Sequence, residues 1–365
     1  MDLCEQSPSY VRAIAPYQPG KPISELAREM GLKEKKIIKL ASNENPLGVS
    51  PKAKSAIKKA IAELGRYPDG NAFDLRAALA KRYGVPAECI VVGNGSNDLL
   101  EMAAAVFLGP GRSAVYSQHC FAVYPLATQS RGARSIVVPA KNYGHDLEAM
   151  AAAIAPDTRV VFIANPNNPT GTFVPGGELE AFIARVPRET AVVVDEAYTE
   201  YLPRELRYDS VGWLAKHSNL ILTRTFSKVY GLAGLRVGFG LMQPAVADLL
   251  NRVRQPFNVN SLALAAATAA LGDRKFVAKS TQMNRTGMVR LERALKKLGL
   301  ETSPSCANIV TFRVVHAKAV YQKLLRQGVI VRPLGGYEMP DHLRVTVGTP
   351  GENERFLKAL ETALD

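Results

Sequence analysis

Cysteine is scarce in this chain, with four residues (Cys4, Cys89, Cys120 and Cys306) in a sequence of 365. None falls in a CxxC or zinc-type spacing, and a chain of this length buries a sizeable core without staples. Free thiols in a reducing cytoplasm are the expectation. The five histidines (His119, His145, His217, His316, His342) show no ligand spacing either, so no metal centre is expected. Long apolar runs are missing. An uncharged stretch as long as any in the chain, residues 255–272, includes Gln255, Pro256, Asn258, Asn260 and Ser261, and its apolar core of 262–271 is too short to span a bilayer. The first ten residues show neither a basic n-region nor an apolar h-region, so no secretory leader is read there. A soluble, cytoplasmic protein with no membrane partner is expected.

Acidic residues are also in short supply: 33 Asp and Glu face 46 Lys and Arg, a formal net charge of +13. Such an excess raises nucleic-acid binding as a function class. The basic residues are scattered, however (Lys52, Lys54, Lys58, Lys59; Arg290, Arg293, Lys296, Lys297), and interleaved with alanine and leucine, as on solvated faces of amphipathic helices. No basic-aromatic ladder or low-complexity arm accompanies them, and nucleic acid is not expected as a partner. The cationic balance suits small anionic substrates. A composition of 47% hydrophobic and 22% charged residues excludes collagen-like, disordered and disulfide-scaffold classes.

Short Val- and Ile-rich runs at 90–93, 113–117, 135–139, 159–164, 191–195 and 220–225 alternate with helical periodicity at 97–108, 122–131, 147–154, 177–186 and 210–217. Continuous apolar strands alternating with helices imply a doubly wound α/β domain with a mostly parallel sheet covered on both faces. Beyond Phe257 the pattern changes to long helices (262–271, 274–298) and strands near 309–314, 329–331 and 343–347, a smaller α+β unit. The expected division is an arm and part of the small domain at 1–48, a large domain at 49–260 and a small domain at 261–365. The opening forty residues, with Pro8, Pro16, Pro19 and Pro22, read as an irregular surface arm.

In a parallel α/β sheet, ligands gather at the carboxyl ends of the strands. After 90–93 comes Gly93-Asn94-Gly95-Ser96-Asn97 and then a helix, a start that suits an anion; an ordinary turn capped by Ser96 explains it equally well. After 159–164 comes Asn165-Pro166-Asn167-Asn168-Pro169-Thr170-Gly171, a composition that a rigid turn alone would also explain. Asp195 ends an apolar run, where it needs a cationic or hydrogen-bonding partner to stay charged. The strand at 220–225 delivers Thr225-Phe226-Ser227-Lys228, followed by Gly234-Leu235-Arg236-Val237-Gly238. Together these supply a lysine able to form a Schiff base, a carboxylate for a pyridine nitrogen, and hydroxyls, a helix start and an arginine for a phosphate. Pyridoxal phosphate requires that set.

Asn168-Pro169-Thr170-Gly171, Asp195-Glu196-Ala197-Tyr198 and Ser227-Lys228 with Gly234-Leu235-Arg236-Val237-Gly238 resemble the motifs of the fold-type-I pyridoxal-phosphate aminotransferases. Within that superfamily, Ala15-Pro16-Tyr17, the phrase from Leu40 through Asn43-Glu44-Asn45-Pro46, Arg66-Tyr67-Pro68-Asp69 and Leu343-Arg344-Val345-Thr346-Val347-Gly348 are similar to the histidinol-phosphate aminotransferases. The resemblance implies a homodimer exchanging an amino group between histidinol phosphate and 2-oxoglutarate, with glutamate as a product. Aromatic amino-acid aminotransferases share most of these phrases, and a phospho-amino-acid decarboxylase would keep Lys228 and Asp195.

By the same resemblance, Lys228 is the Schiff-base lysine and proton shuttle, Asp195 pairs with the pyridine nitrogen, and Asn168 and Tyr198 hydrogen-bond the phenolic oxygen. Ser96, Asn97, Thr225, Ser227 and Arg236 surround the phosphate, and Phe121 stacks on the ring. Tyr67 reaches the neighbouring subunit's cofactor. Arg344 takes the acidic co-substrate's carboxylate and, with Arg332 and Tyr17, the substrate phosphate. The family often has an acidic residue where Asn97 stands and a tyrosine where Phe121 stands. Glu44 is left without a role.

Overall fold

The computed structural model describes residues 2–365. Its strands, in chain order, are β1 (Ile38–Lys39), β2 (Ile90–Gly93), β3 (Ser113–Ser117), β4 (Arg134–Val138), β5 (Thr158–Ala164), β6 (Ala191–Asp195), β7 (Leu220–Thr225), β8 (Gly238–Met242), β9 (Ile309–Arg313), β10 (Val329–Ile330), β11 (Arg332–Pro333) and β12 (His342–Thr346). Seven of them form one sheet in the order β2-β8-β7-β6-β5-β3-β4, parallel except for β8, which runs antiparallel to both β2 and β7.

The apolar runs of the central strands are continuous because both faces are covered. Val161, Ile163, Val192, Val194, Leu220 and Leu222 join the core on one face. Their alternating neighbours Val160, Phe162, Ala164, Val193 and Ile221 join the core on the other. The period-2 pleat of a strand places successive side chains this way. A third core gathers Leu291, Leu295, Phe312, Val320, Leu324, Val345 and Phe356 around the antiparallel sheet β11-β12-β9. Three helices pack there: Arg274–Lys297, Ala317–Arg326 and Pro350–Leu364, the last opened by a capping box of Thr349 and Glu352.

Four features depart from the sequence reading. Strand β8 was unforeseen because Gly238 and Gly240 sit inside it, and strand-interior glycine weakens the pattern. The opening forty residues are not an irregular arm. They hold helices at Leu3–Gln6, Ser9–Arg12 and Ile23–Met30, and Leu26 is buried with Ile37, Ala41, Leu325 and Ile330. Residues 49–89 carry, besides helix Pro51–Ala60 on which the basic residues 52–59 lie, a helix Phe73–Tyr83 that was not anticipated. Helix Ser261–Leu271, grouped by sequence with the smaller unit, instead buries Ala263, Ala266, Ala267 and Ala270 in the large sheet's core. Among the described residues no helix is long and apolar enough to cross a membrane.

Candidate active site

The carboxyl ends of β5, β6 and β7 lie side by side, with Ala164 opposite Asp195 and Asp195 opposite Thr223 in the ladders. The chain leaving each strand therefore delivers its polar residues to one place: Asn168 beyond β5, Asp195 at the tip of β6, and Thr225, Ser227 and Lys228 at the end of β7. These line a cleft of about 370 Å³ together with Ser96, Asn97, Phe121, Tyr198, Arg236, Tyr17, Arg332 and Arg344. Tyr67 is the sequence candidate the structure keeps apart. It is 82% exposed and stacks on Phe257 at 4.9 Å.

One end of the cleft is built to receive an anion. Helix Ser96–Phe107 starts there with Gly95 as its cap at φ +84°, so Ser96 is the first helical residue rather than the cap. The first-turn amides of such a helix have no partner within it and favour negative charge. Gly238 allows the close approach, because a Cβ there would lie 2.5 Å from the Ser96 amide nitrogen. Arg236, itself at φ +55°, donates to Ser227 Oγ at 3.4 Å and to the Ala233 carbonyl at 3.0 Å. Thr225 and Ser227 are buried beside it.

Elsewhere in the cleft, Asp195 carries a different demand. Its Oδ2 accepts a 3.2 Å hydrogen bond from the Tyr124 hydroxyl, while the buried Oδ1 has no partner. Burial pushes its pKa up to about 6, with the Tyr124 bond opposing in part. A buried carboxylate in this state fits a ligand that brings an N–H donor. Lys228 Nζ makes a long 3.4 Å bond to the Ser42 carbonyl. Burial lowers its amine to about 8, the Arg344 and Arg236 charges acting in the same direction and Glu44 and Asp195 against them.

The third wall comes from the smaller sheet. Arg332 on β11 and Arg344 on β12 are direct cross-strand partners. Like charges in that position repel, which marks the pair as a place for an anion rather than for stability. Arg344 is buried, donates to Asn168 Oδ1 and to the Ala41 carbonyl at 2.7 Å, and leaves its Nε without a partner. Burial holds its pKa below the ordinary guanidinium value. Arg332 donates to the Gln18 carbonyl at 2.8 Å and lies 5.6 Å from the Tyr17 ring centre. Phe121 meets Tyr124 edge-on, with ring centres 5.9 Å apart.

Three contributors escaped the sequence reading. Asn43 donates to the Tyr198 hydroxyl at 2.6 Å, and its own amide donates to Thr346 Oγ1 at 3.0 Å. Burial pushes the Tyr198 phenol up to about 12, Arg344 and Asn43 opposing. Tyr124, which donates to Asp195, lies three residues beyond Phe121, and that spacing was its available signal. Tyr337 lines the cleft at the end of the 3-10 turn Gly335–Tyr337, which is too short for a periodic pattern to flag it. Glu44 also lines the cleft, 3.4 Å from Lys39 Nζ.

Known proteins are similar to this chain along nearly its whole length. Residues 35–360 match the family described as aminotransferase class I and II. The chain is 60% identical to histidinol-phosphate aminotransferase 2 of Nitrosospira multiformis over all of this chain and 93% of that protein. It is 62% identical to histidinol-phosphate aminotransferase 1 of Dechloromonas aromatica over the full length of both. Among solved structures, histidinol-phosphate aminotransferase from Sinorhizobium meliloti in complex with pyridoxal-5'-phosphate superposes with a TM-score of 0.90 at 28% identity, covering 98% of this chain and 97% of that one. A Thermus thermophilus aspartate aminotransferase double mutant shares the fold, with a TM-score of 0.84 at 24% identity and 98% coverage of each chain. A parallel sheet whose strand tips converge a lysine, a carboxylate and an anion cradle, matched over nearly its whole length, makes this chain a member of the class I and II aminotransferase family.

Proposed function

We propose that the protein exchanges an amino group between histidinol phosphate and 2-oxoglutarate, yielding imidazole-acetol phosphate and glutamate, with pyridoxal phosphate as cofactor. The observation that carries the reading is the unpaired, buried Oδ1 of Asp195 in a cleft shared with Lys228. A protonated pyridine nitrogen is the donor such an oxygen lacks. The relatives named for this substrate, 60% and 62% identical across the whole chain, support the choice of amine.

The residues fit the cofactor group by group. Ser96, Asn97, Thr225, Ser227 and Arg236 would hold its phosphate, Phe121 would cover the ring, Asp195 would pair with the ring nitrogen, and Asn168 and Tyr198 would face the phenolic oxygen. Bound there, the cofactor supplies an electron sink for bonds at the substrate Cα. Lys228, with its amine near 8, is partly neutral at physiological pH and so can take the Cα proton and return it. Tyr198 keeps its proton, because burial holds the phenol high. Arg344 binds the carboxylate of 2-oxoglutarate or glutamate, and Arg344, Arg332 and Tyr17 bind the phosphate of the amine. One anion site serving both substrates in turn suits ping-pong half-reactions. Tyr67 completes the site of a second copy in a cytoplasmic homodimer.

The test uses the cofactor-loaded protein with no keto acid present. Histidinol phosphate alone should bleach the visible absorption band, and 2-oxoglutarate should restore it. Bleaching by phenylalanine but not by histidinol phosphate would move the substrate to aromatic amino acids. A band that answers neither amine would overturn amino transfer itself.

A further inference from the structure

We propose that Glu196 and Arg224 are positioning residues for the cleft, a buried ion pair on the reverse of the sheet that fixes the carboxyl ends of β5, β6 and β7 relative to one another. The inference rests on the cofactor reading above. Glu196 directly follows Asp195, and Arg224 directly precedes Thr225. Because side chains alternate across a strand, both point away from the cleft, to the face of Val194 and Leu222. Glu196 Oε2 accepts from Arg224 Nε at 2.9 Å and lies 2.8 Å from Nη2. Arg224 Nη2 also donates to Ser210 Oγ at 3.2 Å, and the guanidinium lies 4.9 Å from the Tyr83 ring centre. Burial works against the Arg224 charge, but Glu196, Tyr83 and Glu200 more than offset it.

The same clamp extends to the third strand. Tyr208 lies against Glu196, and burial together with that carboxylate keeps its phenol protonated. Its hydroxyl accepts from Asn165 Nδ2 at 3.1 Å. Asn165 also binds Val174 in both directions, donating to its carbonyl at 2.9 Å and accepting from its amide at 2.8 Å. That closes the loop carrying Asn168. Backbone bonds from Asn165 to the Asp195 carbonyl (2.9 Å) and from Glu196 to the Thr223 carbonyl (2.8 Å) tie the strand tips between these anchors.

Stability alone does not call for this pair. Replacing a buried ion pair with apolar groups of similar volume is often neutral, and the same face holds Val192, Val194, Leu220 and Leu222 one step further in. The pair stands one residue from the cleft side chains, where a directional guanidinium–carboxylate contact sets angles that apolar packing leaves loose.

The double variant Glu196→Met/Arg224→Met removes both charges at similar volume, and Arg224→Lys keeps the charge without the fork. Pyridoxal phosphate is titrated into each apoprotein, and melting temperature, kcat and KM are measured alongside. The double variant should melt within a few degrees of the parent yet bind the cofactor about 10-fold or more weakly, as when groups behind metal ligands are removed. Its kcat should fall with KM nearly unchanged, and Arg224→Lys should lie between. Parental cofactor affinity and kcat in a well-folded double variant would overturn the inference. If the double variant does not fold, Arg224→Lys decides, and parental affinity there overturns it equally. A parent protein that fails to bind the cofactor would instead sink the cofactor reading.

Discussion

Asp195 and Glu196 are consecutive, acidic and buried, yet they face opposite sides of one strand tip and live under opposite conditions. Glu196 meets a guanidinium at 2.8 Å. Asp195 has a neutral hydroxyl at 3.2 Å and no ion pair among the described residues, and each carboxylate leaves one oxygen, Asp195 Oδ1 and Glu196 Oε1, without a partner. On the reverse face Arg224, supplied by the chain itself, neutralises Glu196, whereas Asp195 on the cleft face has no such cation in contact. A buried carboxylate without a cation is unfavourable until something fills the gap, so the cleft face is organised around a ligand, and the reverse face carries the ion pair that holds the strand tips behind it.

The largest effect expected from breaking the cleft side comes from Lys228→Ala. Amino transfer should fall by about 10²- to 10⁴-fold, the range lost when a positioned acid–base group is removed. Unfolding should change little, because the amine makes only a long bond to Ser42 and burial already disfavours its charge. Turnover and melting temperature measured on one preparation check both halves. Activity within tenfold of the parent would remove Lys228 from the chemistry. Turnover of the parent should rise with pH through about 8 as the amine loses its proton, if that step limits the rate.

Asp195→Asn sharpens the contrast by separating stability from function. The folded-state pKa of about 6 lies above the ordinary 3.8, so between those values the native apoprotein holds a proton that the unfolded chain has released. Stability therefore falls as pH rises through that window, and above about 6 the full penalty remains, on the order of 2–3 kcal/mol. The asparagine variant escapes it. Its apoprotein should melt higher than the parent at pH 7.5, with the gain shrinking toward pH 4.5, while cofactor affinity drops. Thermal unfolding of both apoproteins across that range is the measurement. A variant that melts lower at neutral pH would mean Asp195 already has its charge satisfied.

Most of this was legible in the sequence for a physical reason. Strands buried on both faces are unbroken apolar runs, and in such a sheet the residues just past each run must converge. Lys228, Asp195, Asn168 and the helix start at Ser96 could be placed on that ground. What escaped was carried by packing. Strand β8 was hidden by Gly238 and Gly240, which exist so that the Ser96 helix can dock closely. Leu26 anchors an N-terminal helix whose apolar spacing is preceded by prolines that suggest a loop. Tyr124 and Asn43 act through other side chains, so only the folded arrangement reveals what they touch. Helix Ser261–Leu271 is alanine-rich and uncharged, and its sequence does not say which core it joins.

Tyr67 gives the smallest expected effect. Within one chain its hydroxyl stands out from the surface on a turn held by Asp69, whose carboxylate accepts from the Phe73 and Asn71 amides at 2.7 and 2.9 Å. Its ring is supported only from one side, by Phe257. Ile61, Leu64 and Phe73 are also more than half exposed nearby in sequence, a concentration of apolar surface that favours a second copy. Tyr67→Phe keeps the ring stacking and removes one hydroxyl. Monomer stability should not change, whereas cofactor affinity in the proposed dimer should weaken about 3- to 10-fold, the worth of one hydrogen bond. Measuring the cofactor dissociation constant of parent and variant at protein concentrations above and below dimer dissociation separates the cases. A difference that vanishes on dilution places the hydroxyl in the partner's cleft, and equal affinity at every concentration leaves Tyr67 as packing alone.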